Sequence, residues 1–195
     1  MGERNAHPAL AKNLVLIGGR GCGKSSIAKR LARANRHFTL FSLDALVRYE
    51  ADGAAIPEIV AREGWPGFRA RELAVVEKVA ALAGGALIDA GGGVVVELGP
   101  GGKERYSAQK IAALKRHGRI VYLRRDVDYL EQRIDEDSAR PALSARESFR
   151  EIMKRRDPWY RRAADLVLDC GERPKAELAK AILGWFYDDL GIDAR

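Results

Sequence analysis

The sequence predicts an α/β fold: a three-layer α/β/α sandwich around a central five-stranded parallel sheet. Three observations predict it. Short apolar runs alternate along the chain with stretches of helical periodicity, the rhythm of parallel strands joined by crossover helices. The first apolar run, Leu14-Val15-Leu16-Ile17, leads through Gly18-Gly19-Arg20-Gly21-Cys22-Gly23-Lys24-Ser25 directly into a helical pattern. The 195 residues, 47% of them hydrophobic, suit one α/β core, and the chain is read as a single domain over 1–195.

Each element follows from local chemistry. Met1 to Lys12 is polar, lacks the apolar centre of a signal peptide and reads as a short lead-in. Strand Leu14–Ile17 comes next, then a helix over Lys24–Ala34, where Ile27, Ala28, Leu31 and Ala32 share a face. Thr39–Leu43 is the second strand. Pro57, with its fixed φ, opens a short helix at Ile56–Arg62. Leu73, Val76, Val79, Ala80 and Ala83 mark a helix over Arg69–Ala83, stopped by Gly84-Gly85. Ala86–Asp89 is the third strand. Gly99-Pro100-Gly101-Gly102 is a loop, not a linker between domains, because the strand–helix rhythm resumes on both sides. A helix over Ser107–His117 ends at Gly118, and strand Ile120–Leu123 follows. Helices at Val127–Asp135 and Glu147–Arg156, strand Leu166–Leu168 and helix Lys175–Tyr187 complete the chain, with Trp185 and Phe186 as core anchors.

Composition narrows the function. No apolar run approaches the roughly 20 residues that span a bilayer, so no membrane partner is expected. Cys22 and Cys170 are too few for a disulfide scaffold, and a bridge at Cys22 would obstruct its glycine-rich loop; reduced thiols point to the cytoplasm. The scattered histidines and cysteines lack zinc-ligand spacing. The net charge is +7, much of it in Arg150, Lys154, Arg155, Arg156, Arg161 and Arg162. Such a cluster can bind nucleic acid, but it carries no recognition motif, and a pocket for small anionic ligands is the favoured reading. Nothing demands a dimer, and the chain is read as a monomer.

The segment Gly18–Ser25 spells G-x-x-x-x-G-K-S between a strand and a helix. Glycines let backbone N–H groups close around a phosphate, and the helix N-terminus adds partial positive charge. Gly21, Cys22, Gly23, Lys24, Ser25 and Ser26 are therefore expected to bind a nucleotide triphosphate, Lys24 reaching the outer phosphates and Ser25 offering its hydroxyl to Mg²⁺.

Three further segments bear on the reaction. Asp44 follows the second strand, at the end of an open sheet where ligands bind; it can accept a hydrogen bond from a substrate hydroxyl or cap the next helix. Arg69 and Glu72 share a helix face, as a surface ion pair would. Gly91-Gly92-Gly93 follows the third strand and either admits a ligand close to the backbone or makes a plain turn.

Taken in order, these segments resemble the shikimate kinase family, from the first strand to about Asp169. Leu14–Leu31 looks like its phosphate loop and first helix; Asp44 matches the second acid of its acid-x-acid motif. Ile56-Pro57-Glu58-Ile59, Gly64, Phe68-Arg69 and Glu72 resemble its I-x-E-I…G-E-x-x-F-R-x-x-E segment, and Gly91–Gly93 its triple glycine. Ile120–Leu123, Leu130 and Arg133 follow its next strand and helix. Arg140-Pro141-Ala142-Leu143 looks like its R-P-L-L lid, and Arg156-Asp157-Pro158-Trp159-Tyr160 with Ala164-Asp165 like its R-x-P-x-Y…A-D.

The resemblance implies a P-loop kinase that uses ATP and Mg²⁺ to phosphorylate the 3-hydroxyl of shikimate. Its substrate-binding segment covers about 44–75 and its lid about 136–147. Arg69, Arg156 and a backbone N–H of Gly91–Gly93 would hold the carboxylate; Asp44 would orient the attacking hydroxyl; Phe68 would wall the pocket. Glu72 would position Arg69, Arg133 would lie against adenine, and Arg140 would approach the transferring phosphoryl group.

One departure matters. The first acid of the acid-x-acid motif is Ser42 here, while Asp89 ends the third strand where the family commonly has a small residue. The expectation is that the Mg²⁺-supporting carboxylate has moved to Asp89. The rival readings are a gluconate-type or nucleoside monophosphate kinase, and a non-catalytic nucleotide-dependent protein that binds nucleic acid through its basic cluster.

Overall fold

A computed structural model describes residues 10–135 and 147–192. Five parallel strands form the central sheet: β1 (Asn13–Ile17), β2 (Thr39–Ser42), β3 (Ala86–Asp89), β6 (Gly118–Arg124) and β7 (Leu166–Asp169), in the spatial order β2-β3-β1-β6-β7. Strand β1 is central, and Leu14, Val15, Leu16 and Ile17 are wholly buried, as a strand covered on both faces requires. The chain leaves β1 towards β2 and β3, then crosses to β6 on the other side. The crevice at the carboxyl ends of β1 and β3 is thus the switch point where such sheets bind ligands. The predicted α/β architecture and its five strands are present.

Helix α1 (Lys24–Ala34) matches the predicted bounds, as does α5 (Val127–Asp135). Other bounds differ for identifiable reasons. Leu43, read as the end of the second strand, instead opens α2 (Leu43–Tyr49), where Leu43 and Val47 bury one face. The two helices expected at 56–62 and 69–83 are one element, α3 (Ile56–Ala80), kinked at Gly64 with φ 68° and ψ 176°, two residues before Pro66. Helix α4 covers Ala108–His117. Helix α6 (Phe149–Ala163) starts two residues later than predicted because Ser148 caps it: the Glu151 N–H donates to Ser148 Oγ at 3.3 Å, and the Ser148 N–H to Glu151 Oε2 at 2.8 Å. It continues through Pro158 because Tyr160 and Ala163 bury against the core. Helix α7 (Lys175–Leu190) runs three residues beyond the prediction.

One element was not foreseen. The Gly-Pro-Gly-Gly loop joins two short antiparallel strands, β4 (Val96–Leu98) and β5 (Glu104–Tyr106), paired Val96 with Tyr106 and Leu98 with Glu104. Among the described residues no helix is long and apolar enough to cross a membrane.

Candidate functional site

The phosphate loop joins β1 to α1 at the switch point. Gly23, at the helix N-cap, has φ 96°, a left-handed conformation that a side chain would strain. Lys24 then turns its buried ammonium back along the loop, donating to the Gly18 carbonyl at 2.8 Å and the Gly19 carbonyl at 3.0 Å. Burial disfavours its charge, but Cys22, Tyr160, Asp89 and Asp44 around it outweigh that and hold its pKa above the usual lysine value. Gly21, Gly23, Lys24, Ser25 and Ser26 line a cleft of about 440 Å³. Cys22 is buried beneath the loop instead and supports it from within.

Across this cleft stand the ends of the neighbouring strands. Ser42 and Asp89 are register partners on β2 and β3, and both line the cleft with Asp44. The N-cap of α2 is Ser42, while Asp44 lies in the helix's first turn, so capping does not account for Asp44. Arg133 lies over Gly21: a Cβ there would sit 3.1 Å from that of Arg133. Tyr129, also in the lining, has Arg125 and Arg133 against its ring at 4.6 and 5.7 Å. Lys175, at the start of α7, closes one side. Arg20, Tyr129 and Lys175 were not singled out from sequence; only the placement of Arg20 inside the glycine motif offered a signal.

A second, smaller cavity of about 60 Å³ adjoins the first and shares Arg20, Asp44, Gly91 and Gly92 with it. Phe68, Arg69 and Glu72 of α3, the triple glycine after β3 and Arg156 of α6 all line it. Two arginines 87 positions apart in sequence therefore converge on one pocket beside the phosphate loop. The glycines are dictated by their neighbours. A Cβ at Gly91 would lie 2.6 Å from Asp44 Oδ1, and one at Gly93 would overlap the Arg69 guanidinium.

Arg69 and Glu72 form a buried pair, not a surface one: Arg69 Nη1 donates to Glu72 Oε2 at 2.8 Å, and both side chains are at least nine-tenths buried. The guanidinium packs on Trp65 and Phe68, 5.3 Å from each ring. Its Nε is buried without a hydrogen-bond partner. Glu72 also accepts from Lys110 of α4 at 2.6 Å, and Lys110 donates to the Val96 carbonyl at 2.5 Å. Burial works against the Glu72 carboxylate, but Arg69 and Lys110 outweigh it and hold its pKa below the ordinary range. Lys110 is pushed down, by burial first and by the like charge of Arg69, against the pull of Glu72. Sequence reasoning missed Lys110, since an amphipathic helix offers many lysines and nothing marks one as buried.

Arg156 is 2% exposed. Its Nε donates to Glu104 Oε2 at 3.0 Å, and its Nη2 bonds Glu104 Oε1. Tyr160, one turn on, donates its hydroxyl to the Gly92 carbonyl and so braces the triple glycine from behind. Much of the basic cluster around it is engaged locally. Arg150 meets Asp128 and Glu131, Arg155 meets Glu104 and Glu147, Arg161 meets Asp157, and Arg162 lies 4.4 Å from the Tyr106 ring centre. Arg140 and positions 136–146 of the expected lid lie outside the described residues.

The shikimate kinase family profile matches residues 20–186. The chain is 36% identical over 183 residues to a shikimate kinase of Leptospira biflexa, covering 94% of this chain and 98% of that protein. It is 37% identical over 176 residues to one of Pseudomonas entomophila, covering 88% and 94%. Its structure is similar to that of shikimate kinase from Acinetobacter baumannii in complex with shikimate, with a TM-score of 0.80 at 28% identity, covering 93% of this chain and 96% of that one.

Proposed function

The chain belongs to the shikimate kinase family, and from that premise we propose that it transfers the γ-phosphoryl group of ATP to the 3-hydroxyl of shikimate, giving shikimate 3-phosphate and ADP. The observation that carries this reading is the convergence of Arg69 and Arg156 on a small pocket that shares a wall with the phosphate-loop cleft. A guanidinium fork suits a carboxylate, and the pocket adjoins the place where a terminal phosphate would lie. Phe68, the two guanidinium groups and the triple glycine that line this pocket suit a small carboxylate better than a nucleoside monophosphate. In this reading the whole chain acts as one P-loop kinase domain in the cytoplasm, as a monomer without a nucleic-acid or membrane partner.

Phosphoryl transfer asks the protein for alignment and charge neutralisation more than for covalent chemistry. Arg69, Arg156 and the Gly92 N–H hold the acid; Asp44, in the shared wall, accepts from the ring hydroxyls and orients the attacking one. Phe68 excludes water from one side. Lys24 and Arg20 place positive charge on the phosphate side, and Arg140 is assigned to the transferring group on the family resemblance alone. Gly21 to Ser26 cradle the phosphates while Arg133 lies against the base. The Ser25 hydroxyl and the buried Asp89 carboxylate are hard oxygen donors lining the same cleft, a set that fits a Mg²⁺ completed by phosphate oxygens and water. Mg²⁺, when bound there, neutralises charge on the phosphates.

The test is a panel of hydroxylated acids, shikimate and gluconate among them, and nucleoside monophosphates, each given with ATP and Mg²⁺. ADP release and phosphorylated product are both scored. Turnover confined to shikimate supports the reading, and preference for another acceptor overturns it. The ion pairs of Arg150, Arg155 and Arg161 leave less free charge for nucleic acid, and any affinity for it should vanish at physiological salt.

A further inference from the structure

Each of the two clamp arginines, Arg69 and Arg156, is held by a glutamate, and each glutamate by a second cation. Glu72 takes Arg69 and Lys110. Glu104 takes Arg156 and, from Arg155 Nη2 at 3.0 Å, a further hydrogen bond. Nothing in the family resemblance assigns Glu104 a role. It sits on β5 of the two-stranded hairpin, 52 positions before Arg156 and on an element outside the main sheet.

The geometry of the pair is informative. Glu104 engages Nε and Nη2 of Arg156, one edge of the guanidinium. The Nη1 end points towards the triple glycine, 3.5 Å from the Gly92 carbonyl, a distance at which a hydrogen bond is weak. A guanidinium carries five N–H donors in a fixed plane. With the Nε–Nη2 edge taken by Glu104, the end that carries Nη1, beside the Gly92 carbonyl and Tyr160, is the one left to meet an acceptor's carboxylate. Gly92 lines that pocket alongside Arg156.

We infer that Glu104 is a positioning residue for the acceptor's carboxylate: it fixes Arg156 in the orientation that presents its free end to the substrate. Two physical effects compete in this arrangement. A carboxylate on Arg156 reduces the field that attracts a second carboxylate. Against this, a guanidinium that is 2% exposed without a partner carries a large desolvation cost and would relocate. The second effect wins, because a misplaced arginine forms no aligned fork, and displacement by about 1 Å can cost about 100-fold in rate. Arg155 strengthens the anchor: it spans Glu104 and Glu147, so the carboxylate is fixed from two sides. Burial raises the Glu104 pKa, but Arg156 and Arg155 prevail and hold it below the ordinary range, which keeps the anchor charged at neutral pH.

This inference rests on the shikimate kinase reading and deepens it. The test is steady-state kinetics of the full chain with Glu104→Gln, Glu104→Ala and Arg155→Met, varying shikimate and ATP separately, with thermal midpoints as a check on folding. Gln keeps the shape and one acceptor while removing the charge. The expected result is a KM for shikimate that rises a few-fold in Glu104→Gln and Arg155→Met, and about tenfold or more in Glu104→Ala. The KM for ATP should stay within about twofold in all three. If Glu104→Ala does not fold, the isosteric Gln variant decides alone. An unchanged KM for shikimate in a folded variant overturns the positioning role. A lowered KM also overturns it, and marks Glu104 as a competitor of the substrate. If the wild-type chain fails to phosphorylate shikimate at all, the activity reading itself falls and the inference falls with it.

Discussion

At the scale of single residues, the acceptor pocket is built so that a clamp arginine can be removed without collapsing its surroundings. Glu72 is shared between Arg69 and Lys110, so Arg69→Ala leaves the buried carboxylate one cation. The variant should therefore fold, raise the KM for shikimate by about 100-fold and leave the KM for ATP within about threefold; equal effects on both would contradict the carboxylate clamp. Truncating one partner of a buried, hydrogen-bonded charge pair costs about 2–5 kcal/mol, the range in which that factor falls. Asp89 sits in register with Ser42 and shares its cleft. Asp89→Asn should raise the Mg²⁺ concentration for half-maximal activity by about tenfold, roughly 1.4 kcal/mol of lost ion binding. A Mg²⁺ titration that superimposes on the wild type would refute the relocated carboxylate.

At the scale of elements, helices α3 and α4 and the hairpin are tied together by one buried network. Lys110 of α4 bonds Glu72 of α3 and the Val96 carbonyl at the start of β4. Lys110→Met leaves Glu72 paired with Arg69 but strips the Val96 carbonyl of its donor, and should destabilise the fold by roughly 1–3 kcal/mol, the cost of a buried acceptor left unsatisfied; denaturant midpoints measure it. The same network sets the acid response. The pKa values of Glu72 and Glu104 lie below the unfolded value in the folded chain, so the stability they contribute is present above about pH 4.5 and is lost as pH falls through their depressed values. The thermal midpoint should be flat near neutrality and drop below about pH 4.5, and the drop should shrink in Glu104→Gln. The element bounds show what local sequence can and cannot convey. Helix α1 was legible because its glycine start and apolar stripe are local. The hairpin was not: β4 and β5 have three residues each, too few to establish a period of two, and their pairing depends on a loop that reads only as a turn. Helix α6 likewise hid its length, because Pro158 reads as a stop while Tyr160 and Ala163, buried against the core, hold the helix past it.

At the scale of the whole molecule, the sheet order brings residues 20, 44, 69, 89, 91–93 and 156 to one edge, and the resemblance made most of that assembly legible from the chain. What stayed hidden are the partners that hold it: Arg20 between the cavities, Lys110 beneath Glu72, and Glu104 behind Arg156. Each acts through contacts between distant segments, and those contacts are set by tertiary packing that no local pattern states. The shared wall of Arg20, Asp44, Gly91 and Gly92 has a consequence that can be read without turnover. A ligand that binds only the folded chain stabilises it by about 2.7 kcal/mol at 100 times its Kd, and for a chain of this size each kcal/mol moves the thermal midpoint by roughly 2–4 °C. ADP alone and shikimate alone should each raise the midpoint by roughly 5–10 °C at such concentrations. Added together they should raise it by more than the sum, because each ligand orders residues that also contact the other. Arg69→Ala should lose the shikimate increment and keep the ADP increment, while Lys24→Ala should do the reverse. Strictly additive increments would mean that the two cavities behave independently. Loss of both increments in Arg69→Ala would place that arginine in the general scaffold instead of the acceptor pocket.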